Sequence, residues 1–174
     1  MRTFLAAVLD PEALAIARAW AERVAEWPGT AVPEPQWHLT FAYFGELSET
    51  QLASSEQAFA ALERRAAPRY QLDRWCLLPT PERPRVLAVG GVSCADDAFV
   101  EAVRGLQRRL GLGTTEARPF LPHVTLRRFA SSGTIVLPEE AMPLALTVRH
   151  VGLFVSHRTA TGTRYTLRSR YVLR

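Results

Sequence analysis

The chain contains no lysine and no asparagine, so all 21 of its basic residues are arginines, set against 17 acids. Alanine is abundant beside them, which points to the codon bias of a GC-rich genome. Total arginine content is therefore no argument for guanidinium chemistry, and only the position of each arginine carries weight. The formal net charge is +4 and the pI about 9.7. So small an excess favours anionic partners without identifying one. Cysteine is almost missing too. Cys76 and Cys94 have no metal-ligand spacing, lie in apolar stretches and read as small reduced hydrophobes. Nor do the 4 histidines offer a zinc-ligand spacing. Long hydrophobic runs are absent. Arg2-Thr3-Phe4-Leu5-Ala6-Ala7-Val8-Leu9 is too short to span a bilayer, Asp10-Pro11-Glu12 breaks it, and no signal-cleavage pattern follows. These absences lead us to expect a cytoplasmic monomer without metal, cofactor or membrane contact.

What is present suits an ordinary core. With 174 residues and 48% hydrophobic content, one domain over residues 1–174 is expected. Residues 3–9 read as a buried strand. Asp10-Pro11-Glu12 has the form of a helix start, with Leu14, Ile16, Ala17, Trp20, Ala21 and Val24 forming an apolar stripe that ends at Pro28-Gly29. A proline-rich connector leads into the strand Trp37 to Phe44, closed by Gly45. Ser48-Glu49-Thr50-Gln51 opens a second helix in capping-box style, running to about Ala67. Strands are expected over 69–78 and 85–91, a third helix from Asp96 to Leu110, and a strand from Phe120 to Phe129. Two closing strands, about 144–156 and 163–173, flank a turn at Thr159-Ala160-Thr161-Gly162. Glu139-Glu140 and Arg108-Arg109 read as solvated charge. The order is that of an α+β protein with antiparallel strands, not of regular βαβ alternation.

One pattern occurs twice. His38-Leu39-Thr40 and His123-Val124-Thr125 each sit on an expected strand behind a helix, as in a faint internal repeat. Residues i and i+2 of a strand share a face, so each histidine is co-facial with its threonine, while Leu39, Phe41, Tyr43, Val124 and Leu126 fall on the apolar side. Both imidazoles titrate near neutrality, so one can accept a proton while the other donates one. The hydroxyls can donate to phosphate oxygens as charge builds in a transition state. No metal is required for such chemistry. One such motif alone is commonplace; two on matched strands are not.

The segments Trp37-His38-Leu39-Thr40-Phe41-Ala42-Tyr43-Phe44-Gly45 and Arg118-Pro119-Phe120-Leu121-Pro122-His123-Val124-Thr125-Leu126-Arg127-Arg128 resemble the paired signatures of the two-histidine phosphoesterase superfamily. More narrowly, the chain resembles the bacterial and archaeal RNA 2′,3′-cyclic phosphodiesterases, also called 2′-5′ RNA ligases. The strand Arg2–Ala6, the run Pro84–Gly90 and the Gly162–Tyr165 hairpin extend the likeness over nearly the full length. The resemblance implies a bilobal α+β fold with two pseudo-symmetric antiparallel halves about a cleft, one motif from each, and helices outside. It implies hydrolysis of 2′,3′-cyclic phosphate ends to 2′-phosphomonoesters, with 2′-5′ ligation as the reverse. His123 would accept the proton of the attacking water and His38 would protonate the leaving oxygen. Thr40 and Thr125 would hold the phosphate. RNA ends or small cyclic nucleotides would be the partners; a cyclic phosphate on ADP-ribose, or RNA binding without turnover, are the rival readings.

Two departures stand out. Ala42 replaces a lysine common in the family, and the connection after Phe129 is short. The position five after each histidine holds Tyr43 in the first motif and Arg128 in the second. The family uses the latter to bind phosphate, yet strict alternation puts Arg127, not Arg128, on the histidine face. A β-bulge after Leu126 would reconcile them. Phe120 is a candidate for base stacking; for Phe41 core packing is expected, and Trp37 is left open.

Overall fold

The computed structural model describes residues 1–115, 118–130, 135–137, 140–160 and 162–174. Glu139 and the turn residue Thr161 therefore lie outside the described residues, as does part of the connection after Phe129.

The N-terminal strand β1 (Arg2–Ala7) has five consecutive buried residues, as its unbroken apolar run requires. Helix α1 (Pro11–Arg23) starts where expected: the Asp10 side chain accepts from the Ala13 amide at 2.8 Å, and Pro11 needs no hydrogen-bond partner at the first helical position. Ala13, Ala17 and Trp20 bury the inner face. The proline-rich connector holds a short strand, β2 (Thr30–Ala31), and a single 3₁₀ turn at Glu34–Gln36, neither of which the sequence announced. Strand β3 (Leu39–Glu46) carries the first motif. Helix α2 (Glu49–Phe59) opens with the expected Ser48/Gln51 capping box but is shorter than expected, tightening into a 3₁₀ turn over Ala60–Arg64. Strands β4 (Arg69–Leu78) and β5 (Val86–Ser93), helix α3 (Ala98–Arg109) and strand β6 (His123–Arg128) follow. Strand β6 begins only at His123, because Pro119 and Pro122 can donate no ladder bond.

The segment 144–156, expected as one strand, is two. β7 (Leu144–Thr147) pairs with β4, whereas β8 (His150–Thr159) pairs with β1, so the chain changes sheet halves at Val148-Arg149. Strand β9 (Gly162–Val172) completes a hairpin with β8. Cys76 is half-buried, and Cys94 is exposed, against expectation.

Among the described residues the strands form one antiparallel sheet in the order β7-β4-β5-β6-β3-β1-β8-β9, with β2 added to β6. The order is symmetric about its middle. On one side β1-α1-β3 is strand, helix, motif strand; on the other, β5-α3-β6 repeats that sequence. The α+β class and the antiparallel, pseudo-symmetric halves agree with expectation. The halves are not separate sheets, however. They meet where β3 and β6 touch at one pair, Leu39 and Val124, both fully buried.

The ladders contain extra residues that decide which side chains reach the cleft. Against β1, strand β3 skips Phe41 and Phe44: Phe4 pairs with Tyr43 and Thr3 with Gly45, then Ala6 with Thr40 and Leu5 with Ala42. Each skipped residue sends a ring into the core. Phe41 meets Phe99 edge-on at 4.8 Å and Phe44 stacks on Phe59 at 5.2 Å. Strand β6 has its own extra residue, since Ala88 pairs with Thr125 but Leu87 pairs with Arg127, leaving Leu126 over. Gly90, opposite His123, is a close approach: a side chain there would begin 2.8 Å from Cys76 Sγ, just behind the second motif.

Candidate active site

Because β3 and β6 run antiparallel through Leu39 and Val124, the same register sets His38 across from Thr125 and Thr40 across from His123. The two motifs are thus related by a local two-fold axis through a dry apolar pair. All four polar side chains line one cavity of about 980 Å³. Neither threonine hydroxyl has a protein partner among the described residues, so both are free to donate to a ligand.

Each imidazole is held by the same device. His38 Nδ1 lies 2.6 Å from the Gln36 carbonyl and His123 Nδ1 lies 2.9 Å from the Leu121 carbonyl, in both cases two residues upstream. A carbonyl can only accept, so each Nδ1 donates and each Nε2 is left for chemistry. Gln36 is itself anchored, its side-chain amide donating to the Thr163 carbonyl of the β8–β9 hairpin at 2.5 Å. Trp37 donates to the Val32 carbonyl at 2.8 Å and packs on the core rather than into the cleft.

The cavity also collects Arg128, Tyr43 and Phe120. Arg128 reaches it because the extra residue Leu126 shifts the alternation; Leu126 and Arg127 both turn inward, at 2% and 8% exposure. Arg127 is spent on the backbone of the α1–β2 connection. Its Nε donates to the Pro28 carbonyl at 3.0 Å, Nη1 to Ala25 at 3.1 Å and Nη2 to Gly29 at 2.7 Å. Tyr43 is placed by the same logic. Strict alternation assigns it to the apolar face, but the extra residue Phe41 ahead of it turns it outward, and it is 51% exposed. Phe120 is half-buried, stacked on Phe41 at 5.7 Å, with part of its ring in the cavity. The remaining histidines stay apart: neither His150 nor His157 lines the cavity.

Sequence reasoning missed further lining residues. Arg85, Arg104 and Arg118 join Arg128 in the wall, and no aspartate or glutamate lines it among the described residues. Arg104 is occupied, pairing with Glu101 at 2.8 Å and donating to the Arg118 carbonyl at 2.8 Å. Gln107 donates to the Tyr43 and Thr114 carbonyls at 3.3 and 3.4 Å, which joins α3 to the motif strand. Arg85 and Arg118 sit in segments that carry the family likeness, but nothing in a linear sequence brings them to one wall.

The architecture has close relatives. The LigT-like phosphoesterase family model matches residues 8–88. An RNA 2′,3′-cyclic phosphodiesterase of Geobacillus stearothermophilus is 31% identical over 165 residues, which are 90% of this chain and 51% of that protein. The chain therefore spans about half the length of the curated relative it matches. Escherichia coli LigT complexed with 3′-AMP superposes with a TM-score of 0.80 at 25% identity, covering 99% of this chain and 97% of that one. A Thermus thermophilus protein gives 0.78 at 26% identity, covering 99% and 98%. In fold, and over the matched residues, this chain is similar to the LigT-like phosphoesterases.

Within this LigT-like site the two histidines differ in their surroundings. The His38 ring lies against Phe4 at 4.9 Å and meets the edge of Tyr165 at 5.3 Å, with Phe154 beyond at 6.5 Å. Burial among these rings pushes its pKa down to about 4; the Gln36 carbonyl opposes the shift, and the positive charges of Arg128 and His123 add to it. A pKa below the ordinary 6.5 means that the unfolded chain binds the proton more readily than the fold does. Above pH 6.5 His38 is neutral in both states and no penalty exists; as pH falls toward 4 the fold loses about 3 kcal/mol from this residue alone. Urea unfolding of wild type and His38→Gln at pH 7 and pH 4 measures it. The variant should lose less stability on acidification by that amount, and equal losses would refute the burial argument.

Proposed function

We propose that this chain hydrolyses 2′,3′-cyclic phosphate ends of RNA to 2′-phosphomonoesters by metal-independent acid–base catalysis. The observation that carries this reading is the antiparallel crossing at Leu39 and Val124. It sets one imidazole on each side of a cavity whose charged wall is arginine alone among the described residues. Displacement at phosphorus places the entering and leaving oxygens roughly in line, so base and acid are needed on opposite sides. A two-fold pair of histidines meets that requirement.

In this mechanism Nε2 of His123 takes a proton from water as the water oxygen attacks phosphorus. The P–O3′ bond breaks, and Nε2 of His38 protonates O3′. Thr40 and Thr125 donate to the non-bridging oxygens, and the Arg128 fork offsets their charge. His38 is neutral in the free site at pH 7, so to act as the acid it must take up a proton from solvent as the substrate binds. The cyclic phosphate anion beside it counters Arg128 and raises its pKa. The neutral free state favours the opposite order, with His38 accepting and His123 donating, whereas the family resemblance favours His123 as the acceptor. Ligation of a cyclic end to a 5′-hydroxyl would follow the same steps with that hydroxyl in place of water. Phe120 and Tyr43 offer aromatic surface for the terminal base. Each motif would come from one half of a single domain spanning residues 1–174.

The deciding assay incubates the protein with a 2′,3′-cyclic-phosphate oligoribonucleotide in EDTA and identifies the end formed. A 2′-phosphomonoester is expected at the rate seen without chelator. Loss of activity in EDTA with recovery on adding zinc would overturn the metal-free mechanism. Tight binding without product would favour an RNA-binding module, and turnover confined to a cyclic phosphate on ADP-ribose would move the substrate class. No helix among the described residues is long and apolar enough to cross a membrane.

A further inference from the structure

The cavity has two unlike ends. Strands β3 and β6 leave the Leu39–Val124 crossing in opposite directions, so the residues after each motif mark opposite ends of the site. Toward the end of β3 lie Tyr43 and Phe120, with Gln107 and the occupied Arg104. Toward the end of β6 lie Arg128 and then Arg85. Val86 pairs with Arg128, and the Arg85 carbonyl accepts from the Phe129 amide at 2.8 Å, so Arg85 stands one step further out on the neighbouring strand. One end is aromatic; the other is a pair of guanidinium groups.

Arg85 is not committed elsewhere. Its side chain makes one hydrogen bond, Nη1 to the Ala130 carbonyl at 3.3 Å, and no ion pair among the described residues. Nε and Nη2 are therefore free for a ligand, on a wall without a carboxylate among the described residues. An arginine that faces a cavity, lacks an acid and sits beside the phosphate-facing Arg128 is suited to a second phosphate.

A nucleotide ending in a 2′,3′-cyclic phosphate presents two recognisable groups besides the ring: its base, and whatever its 5′ oxygen carries. In RNA that oxygen carries a phosphate; in a free cyclic nucleoside phosphate it carries only hydrogen. The geometry points to Arg85 as the binding residue for that 5′-phosphate. It would make the site selective for cyclic ends carried on a 5′-phosphorylated nucleotide over bare 2′,3′-cyclic mononucleotides. The inference rests on the cyclic phosphodiesterase reading and adds the substrate feature that separates RNA ends from mononucleotides.

The test compares two small substrates, adenosine 2′,3′-cyclic phosphate and its 5′-phosphorylated form, in wild type and Arg85→Ala. Wild type should prefer the 5′-phosphorylated substrate in kcat/KM by on the order of tenfold, the scale of one charge-assisted contact. Arg85→Ala should bring the ratio close to one. In parallel, calorimetry compares the affinities of adenosine 2′-monophosphate and adenosine 2′,5′-bisphosphate, which requires no turnover. A wild type without preference in either measurement overturns the subsite, as does a preference that survives Arg85→Ala. If neither cyclic substrate turns over, the activity reading fails, and the affinity ratio decides the subsite by itself.

Discussion

Replacing either motif histidine by alanine should lower kcat on a 2′,3′-cyclic-phosphate oligoribonucleotide by ~10²–10⁴, the usual scale for losing one positioned acid or base. The double variant should be little worse than either single one, because a proton relay with one member missing has already lost its concerted path. The two single variants differ in what rescues them. If His38 protonates the leaving O3′, then replacing that oxygen by sulfur supplies a leaving group that departs without a proton. His38→Ala should recover most of its rate on the 3′-thio substrate, while His123→Ala, still lacking a base for the water, should not. The reverse pattern would exchange the roles while leaving the site intact. Equal recovery by both would mean that neither histidine handles the leaving group. Circular dichroism should show both variants folded, since His38 and His123 each contribute only one side-chain hydrogen bond to the scaffold among the described residues.

Much of this site was legible in the sequence because the relevant period is short. Histidine and threonine two residues apart on a strand must share a face, and the sequence carries that spacing twice. The Asp10 cap and the Ser48 capping box are likewise local and readable in place, whereas Gly45 does not close its strand, since β3 runs on to Glu46. What escaped the sequence depends on register. Phe41, Phe44 and Leu126 are each one residue too many for their ladders, and each shifts the residues beyond it to the other face. No periodicity in the chain announces such an insertion; it is settled by which ring or aliphatic group the core can take. For the same reason the sequence put Tyr43 on the apolar face and left Arg127 and Arg128 in competition. The split of residues 144–156 into β7 and β8 has a related cause. Two strands of similar composition join different halves of the sheet, and only the partners β4 and β1 distinguish them. The pairing of the motifs themselves is non-local as well, and only the family resemblance made it foreseeable.

The neighbouring arginines provide the sharpest test of that register. Arg127 is buried, and its guanidinium donates to three backbone carbonyls, those of Ala25, Pro28 and Gly29. Arg127→Ala leaves three acceptors short of donors and opens a void beside them, which should cost roughly 3–5 kcal/mol. For a chain of this size that lowers the melting temperature by roughly 10 °C. Arg128→Ala removes an exposed side chain that bonds no protein group among the described residues, so the melting temperature should hardly move. Its effect should appear instead in kcat/KM, a fall of ~10²–10³ if the guanidinium stabilises charge on the phosphate in the transition state. The two variants should therefore separate cleanly, one a folding defect and the other a catalytic one, although they are adjacent in the chain and identical in chemistry. Calorimetric melting and steady-state kinetics on both proteins decide it. A stability loss at Arg128 with an activity loss confined to Arg127 would mean that Leu126 is not the extra residue and that strict alternation holds through β6. Arg127→Lys sharpens the point, because one ammonium cannot span three carbonyls as a planar fork does, and it should recover only part of the lost stability.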